Sequence, residues 1–263
     1  MSTFHVFAGG SARYAPAEVR RIGFHDLTDA LRLGWSDFAA KPSHLVFLVL
    51  IYPLAGIIFA LWTSGNNALP MLFPLASGFV LLGPLAAVGL YEISRRRERG
   101  LELHWRDALA VRQSPALPSI VLVGAWLLAL FVVWLLVART LYIWLYGDVI
   151  PASLDSFLYS ISTTERGWGL IVAGNVIGAC FALVALATTC VAFPLLLDRD
   201  VGAVAAIQTS VRAFAANPLQ MIAWGIIVGL AMAVGSIPLF VGLAIVLPVL
   251  GHATWHLYRK VVV

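Results

Sequence analysis

The sequence predicts an all-α membrane protein: six transmembrane helices arranged as three hairpins, each preceded by a cytoplasmic interfacial amphipathic helix. Three observations predict it. The chain has 263 residues, of which 61% are hydrophobic and only 11% charged, whereas soluble domains carry about 25% charged residues because their surfaces need them. The apolar residues fall into runs long enough for helices that cross roughly 30 Å of hydrocarbon at about 1.5 Å per residue. Fifteen of the 17 Lys and Arg residues sort to one side of the spans that those runs define.

The elements follow in chain order. The opening segment, MSTFHVFAGGSARYAPAEVRR, has no apolar core of a secretory signal. Residues 1–22 read as a flexible cytoplasmic tail. Residues 23–263 read as a single six-helix integral membrane domain with three pseudo-repeats, about 26–94, 105–198 and 200–260. Helix one is expected over Leu45–Trp62, helix two over Leu69–Ile93, helix three from Ser119 to about Tyr146, and helix four over Gly169–Leu197. The apolar stretch Pro218–His256 has 39 residues, too many for one span, and Gly235-Ser236-Ile237-Pro238 breaks it. Helix five is therefore expected over Leu219–Val234 and helix six over Ile237–Tyr258. In lipid, helices are the form in which such runs satisfy their own backbone.

The charges give the orientation. Arg13, Arg20, Arg21, Arg32 and Lys41 precede helix one, and Arg95, Arg96, Arg97, Arg99, Arg106 and Arg112 follow helix two. Arg199 and Arg212 follow helix four, and Arg259 and Lys260 close the chain, against only Arg139 and Arg166 on the other side. The positive-inside rule then places both termini in the cytoplasm. SRRRERG lies just past a span and has no interleaved aromatics, so it reads as a topology signal rather than a nucleic-acid patch. Attraction to anionic head groups, about 1 kcal/mol per basic residue, is its expected side effect. Arg139 is expected to snorkel to the opposite interface.

Each odd-numbered helix follows a similar element: DLTDALRLGWSDFAAKP, WRDALAVRQSPALP and DVGAVAAIQTSVRAFAANP. Each ends in a proline, Pro42, Pro118 or Pro218, which suits the first turn of the next helix because its missing N–H costs nothing there. In the first element Asp26 reads as an N-cap with Asp29 behind it. Leu27, Ala30, Leu31, Trp35 and Phe38 share a face at helical spacing, with Trp35 and Phe38 suited to the headgroup region. The repeat could surround a shared site or record an old duplication. Gly174/Gly178 and Gly225/Gly229 form GxxxG pairs that let helices approach closely, read as contacts within the chain.

Few groups could carry chemistry. No acid lies in the middle of an expected span; Glu92, Asp198 and Asp200 mark helix ends, and Asp148, Asp155 and Glu165 lie in the loop between helices three and four. This argues against an ion-coupled transporter, which relies on intramembrane ionisable groups. Asn175 is expected to hydrogen-bond a neighbouring helix, and Cys180 and Cys190 read as small core residues. His252 and His256 stand at i, i+4 on helix six, the geometry of helix-borne metal ligands, and are the candidate metal residues, with His44 a third ligand in principle. The zinc-protease pattern needs a Glu after the first histidine, and that position is Ala253. The simpler reading has His252 hydrogen-bonded within the bundle and His256 beside Tyr258 at the interface. No catalytic triad, phosphate loop or dinucleotide motif is present in the sequence, and no cofactor is expected.

Four segments in order, RRIGFHDLTDALRLGWSDFAAKP, GPLAAVGLYEISRRRERG, FPLLLDRDVGAVAAIQTSVRAFAANP and LPVLGHATWHLYRK, resemble a family of uncharacterised bacterial integral membrane proteins, a domain of unknown function. Some of its members are labelled cytochrome c oxidase subunits. The resemblance implies a multi-pass protein of a bacterial inner membrane, with no established activity or functional residues. The catalytic oxidase subunit needs several histidines on membrane helices for its haems and copper. Here His5, His25 and His104 fall outside the expected spans, so that role is excluded. The sequence therefore points to a non-enzymatic accessory or assembly protein, partnered by the lipid bilayer and another membrane protein (a respiratory complex is one candidate) and not by nucleic acid. The alternatives are a small-solute or lipid transporter built on the threefold repeat, and a metal- or haem-binding membrane protein.

Overall fold

The computed structural model describes residues 17–40, 66–102, 104–238 and 241–263. Helix one, Lys41, Pro42 and His44 lie outside the described residues. All regular elements among those described are helical. They are α1 (Phe24–Ala40), a 3-10 turn (Asn66–Met71), α2 (Leu72–Leu81), α3 (Gly83–Ala86), α4 (Val88–Glu98) and a second 3-10 turn (Trp105–Gln113). There follow α5 (Leu117–Tyr146), α6 (Leu154–Thr163), α7 (Glu165–Thr189), α8 (Ala192–Asp198), α9 (Ala203–Ala216), α10 (Pro218–Ser236) and α11 (Leu243–Val261).

Among the described residues, three stretches are long and apolar enough to cross a membrane: Leu117–Tyr146, Glu165–Asp198 across α7 and α8, and Pro218–Ser236. They correspond to expected helices three, four and five. Pro118 and Pro218 fall in the first turns of α5 and α10, where a proline leaves no donor unsatisfied. Expected helix two is not one rod. It divides into α2, α3 and α4, with breaks at Leu82, just ahead of Pro84, whose ring removes a helical hydrogen bond, and at Ala87. Expected helix six begins at Leu243, contains Pro248 and ends in Arg259 and Lys260; it is not among the three spanning stretches. Its first half is apolar, and its second half, from Gly251, belongs to a buried polar layer.

That layer is where the core sits. Trp224, Trp255, Tyr91, Tyr258, Phe193, Leu27 and Leu257 are all fully buried, and they join α1, α4, α8, α10 and α11 at one end of the spans. Along the spans burial is slight: only 6% of the most apolar part of Glu165–Asp198 is covered by protein. Between α5 and α7 lies the short helix α6, opened by a capping box between Ser153 and Ser156.

Among the described elements, α1 packs along α11 more extensively than any other pair. The helix expected here forms, but its apolar face meets protein. Leu27, Ala30, Gly34, Asp37 and Phe38 are buried, while Trp35 is 55% exposed. Small residues explain the difference, since Ala30 and Gly34 let the two backbones close up. A Cβ at Gly34 would lie 2.6 Å from the backbone nitrogen of Ala253. The helix also starts two residues before Asp26. The Asp26 carboxylate reaches back to the Gly23 N–H at 2.8 Å, as the third helical residue of a capping box does, rather than capping the helix itself. The equivalent elements before α5 and α10 differ in form, a 3-10 turn and an α-helix respectively.

Residues 18–22 meet the last residues of the chain and the start of α10. Val19 and Val262 form an antiparallel bridge, Arg20 N–H donates to Val261 O at 2.7 Å, and Ile22 N–H donates to Asn217 Oδ1 at 2.8 Å. Residues 17–22, within the segment read as a flexible tail, are thus tied to α10 and α11.

Gly34→Ala should overpack the α1–α11 contact and lower stability by about 1–3 kcal/mol. Gly229→Ala, on α10 with nothing within 4 Å of the new methyl, should leave it unchanged or raise it slightly. Thermal unfolding of both variants in detergent checks the pair.

Candidate functional site

The polar layer centres on Asp37. Its position on α1 falls on the face that α11 covers, and its carboxylate is 5% exposed. From α11, His256 Nε2 lies 2.8 Å from Asp37 Oδ2. From α4, Ser94 Oγ donates to the same oxygen at 2.5 Å, and Arg97 donates through Nη1 to Oδ1. The second Arg97 nitrogen reaches Ser36 Oγ at 3.2 Å. Ser94 Oγ also lies 2.8 Å from His252 Nδ1. The i, i+4 spacing of the two histidines puts both on the face that meets α1 and α4, and Ser94 and Arg97 are one turn apart on α4.

Proton counting fixes the tautomer. Ser94 has one O–H and gives it to Asp37, so the His252–Ser94 bond needs its hydrogen on Nδ1. The His252 Nε2 then carries a lone pair; it is buried and has no hydrogen-bond partner among the described residues. Burial pushes the His252 imidazole down to about 4, against the opposing pull of Asp37, so the ring is neutral. Burial acts on Asp37 in the opposite sense, raising it, but hydrogen bonds from His256 and Ser94 and the charge of His256 outweigh that and hold it below the usual carboxylate range. The centre is a buried carboxylate paired with Arg97 and bridged through Ser94 to a neutral histidine.

Ion pairs surround it. Glu92, 3% exposed, accepts two bonds from Arg95 at 2.8 and 3.0 Å and one from Arg96 at 2.9 Å. Arg96 also pairs with Asp107 at 2.8 Å. Asp198 accepts from Tyr258 Oη at 2.8 Å and faces Arg99 and Arg259 at 3.5 and 3.4 Å. Glu98 takes Trp255 Nε1 at 3.1 Å and Arg259 at 3.0 Å. Lys260 bridges Asp26 and Asp29 at 3.1 and 3.4 Å. The arginines of SRRRERG, expected to be available to lipid head groups, each face a carboxylate of this layer. The acids come from distant segments, so the sequence run alone shows only the positive half.

Ser94 is fully buried, and its hydroxyl donates to Asp37 while lying against His252. His252 and His256 are both in the cluster, but they bind Ser94 and Asp37 respectively. Among the described residues no group of three or more His, Cys, Asp or Glu side chains is placed to hold a metal ion. Tyr258 is buried in the layer and His256 partly so. Asp37 and Glu98 were not singled out by the sequence reading.

Three further expectations change. Asn175 donates to Ile171 O of its own helix at 2.8 Å and not to a neighbour, because its side chain is on the exposed side of α7. Cys180 is exposed and only Cys190 is buried. Of the GxxxG glycines, Gly178 and Gly225 sit against Trp134 and Leu186 of neighbouring helices, whereas nothing approaches Gly229. A half-open cleft of about 330 Å³ lies at the polar layer, between α4, the Trp105–Gln113 turn and the end of α8.

An all-helical chain with several apolar helices, little buried along their length and joined at one end by a charged core, is an integral membrane protein. Residues 71–198, just under half of the chain, match a family described as "Predicted integral membrane protein (DUF2189)", the uncharacterised family that the sequence resembles. The matched segment runs from the end of the first 3-10 turn through α8, so it contains Ser94 and Arg97 but not Asp37 or the two histidines. No curated protein and no solved structure matches the chain.

Asp37→Asn removes the charged acceptor of Ser94 and Arg97, and because the Arg97 left behind is partly solvated the loss should be about 1.5–3 kcal/mol. The pH dependence follows from two depressed values. His252 contributes fully above its unfolded value of 6.5 and loses that contribution as pH falls toward about 4. Asp37 follows below its unfolded value of 3.8. Unfolding temperatures in detergent should therefore fall from pH 7 to pH 4, and His252→Gln should remove most of that slope. A variant with the wild-type slope would contradict the assignment.

Proposed function

We propose that this is a multi-pass inner-membrane protein that acts through interaction, as an accessory or assembly protein for another integral membrane protein. The observation that carries the reading is that, among the described residues, the α7 span is little covered by protein, with Asn175 on its exposed side. A carboxamide whose remaining hydrogen-bonding capacity faces hydrocarbon is unfavourable, and a partner helix offering a polar group relieves it. The oxidase label in the family that the sequence resembles makes a respiratory complex the first partner to test. The distribution of Lys and Arg supports an orientation with the charged layer and both termini in the cytoplasm; the apolar half of α11, about 12 Å long, is too short to cross alone, so a six-span arrangement needs helix one over Leu45–Trp62 and the residues before Leu243 to complete helix six. The three elements preceding the odd-numbered helices are then read as relics of a duplication. The cleft lies among charged residues at the span ends, so it gives no support to a transporter with a midplane site.

A photo-crosslinking residue at Val176, incorporated in the native membrane, should yield one discrete heteromeric product, and Asn175→Leu should reduce it several-fold. Products with lipid alone would contradict the proposal. Cysteines placed at Ser2 and Val263 should react with an impermeant reagent only from the cytoplasmic side, and one at Ser153 only from the opposite side.

A further inference from the structure

Beyond the charged layer, the hairpin of α10 and α11 is shorter than the helices beside it. A Cβ at Gly242 would lie 2.7 Å from Gly235 O, so these two glycines meet across the turn. Ten residues back from Gly235 is Gly225, and ten on from Gly242 is His252. Both helices rise about 1.5 Å per residue, which puts Gly225 level with His252 and leaves Trp224, fully buried, inside the layer. The neighbouring helices mark the same level. A Cβ at Gly225 would lie 3.0 Å from Leu186 of α7, and Trp126 of α5 donates to Thr188 of α7 at 3.1 Å.

Past that level α5 continues over residues 127–146, about 30 Å of helix, and α7 over residues 165–187, about 34 Å. Each is enough for roughly 30 Å of hydrocarbon. α10 has only residues 226–236 there, about 16 Å, and α11 only residues 243–250, about 12 Å. Pro218–Ser236 is long enough to cross, but its first eight residues stand beside the layer. The turn adds little depth, because Val241 N–H donates to Pro238 O at 3.0 Å.

The far ends of the two hairpins also differ in chemistry. Between α5 and the first turn of α7 the chain carries Asp148, Asp155, Glu165 and Arg166, whereas the turn between α10 and α11 reads GSIPLFVG, without a charge. Ile237 is 79% exposed and Val241 50%. In water those side chains would be unfavourable, and in hydrocarbon they are at home. Lipid offers no partner to an open backbone donor. Here Ile237 N–H donates to Val234 O at 3.2 Å and Ala244 N–H to Val241 O at 3.1 Å, and Pro238 has no N–H to satisfy.

We propose that α10 and α11 form a re-entrant hairpin. It enters the bilayer from the side of the charged layer, turns inside the hydrocarbon near Pro238 and returns to the side it came from. Its partner is the acyl-chain region of one leaflet, met by the exposed Ile226, Leu230, Val234 and Ile245. The chain ends lie on one side whether the hairpin crosses or returns, so depth distinguishes the two. The inference is independent of the accessory role proposed above.

The test is the depth of a nitroxide label at Ile237→Cys in the full-length protein carrying Cys180→Ser and Cys190→Ala. The protein is held in nanodiscs of phosphatidylethanolamine and phosphatidylglycerol. Accessibility to oxygen and to an aqueous nickel chelate is read by power saturation. Reference labels are Val176→Cys at the middle of residues 165–187, Ser153→Cys at the start of α6, and Arg32→Cys on the exposed side of α1. The oxygen-to-nickel accessibility ratio at Ile237 should match that at Val176 and exceed those at Ser153 and Arg32 at least tenfold. Val241→Cys should give the same result and serves as a second variant should the first misfold. A ratio at Ile237 and Val241 like that at Ser153 means a hairpin that crosses, and one like that at Arg32 means a hairpin outside the bilayer; either overturns the proposal.

Discussion

The charge on Asp37 is the constraint on which the rest of the structure depends. An ion taken out of water carries a penalty of several kcal/mol even after relaxation, and only good geometry with every lone pair engaged offsets it. Asp37 meets that condition by drawing on two other helices at once: Ser94 and Arg97 from α4, and His256 from α11. No two of these helices are neighbours in sequence. Satisfying one carboxylate therefore fixes the mutual position of the N-terminal helix, the end of the second apolar region and the last helix. The close approach of α1 to α11 at Gly34 and Ala253 is the steric counterpart of that electrostatic tie.

The surrounding ion pairs extend the same principle. Along the spans the protein buries little of itself, because lipid covers apolar side chains as well as another helix would, and no hydrophobic driving force pulls the helices together there. Cohesion is concentrated at one end, where Glu92, Glu98, Asp107 and Asp198 pair with the arginines of α4 and α11. In the orientation proposed here, the basic residues that direct topology are also the residues that close this layer. A positive charge beside a span thus has two uses, and a substitution there would disturb both.

Much of this was legible in the sequence. The apolar runs gave α5, the α7–α8 stretch and α10 to within a few residues, and the i, i+4 spacing of His252 and His256 correctly put them on one face. The break at Leu82 could have been read too, since Pro84 two residues on removes an internal helical hydrogen bond. Asp37 was missed. Its partners lie 57 to 219 residues away, beyond any local pattern. A signal was nevertheless present: Leu27, Ala30, Gly34, Asp37 and Phe38 follow helical spacing, and an acid at a core position calls for a partner. The pairing of the SRRRERG arginines had no such signal, because a charge run looks the same whether it is solvated or neutralised by acids from elsewhere in the chain.

The central claim is that α1 is held to α4 and α11 by the Asp37 cluster rather than resting on the bilayer. Hydrogen–deuterium exchange of the full-length protein in nanodiscs tests this most directly. The account predicts that the amides of Phe24–Ala40 are protected to the same degree as those of the second half of α11. It also predicts that Asp37→Asn raises exchange in both helices together while α5 is unaffected. Rapid exchange of α1 beside a protected α11, or an α1 whose protection is indifferent to Asp37, would contradict it.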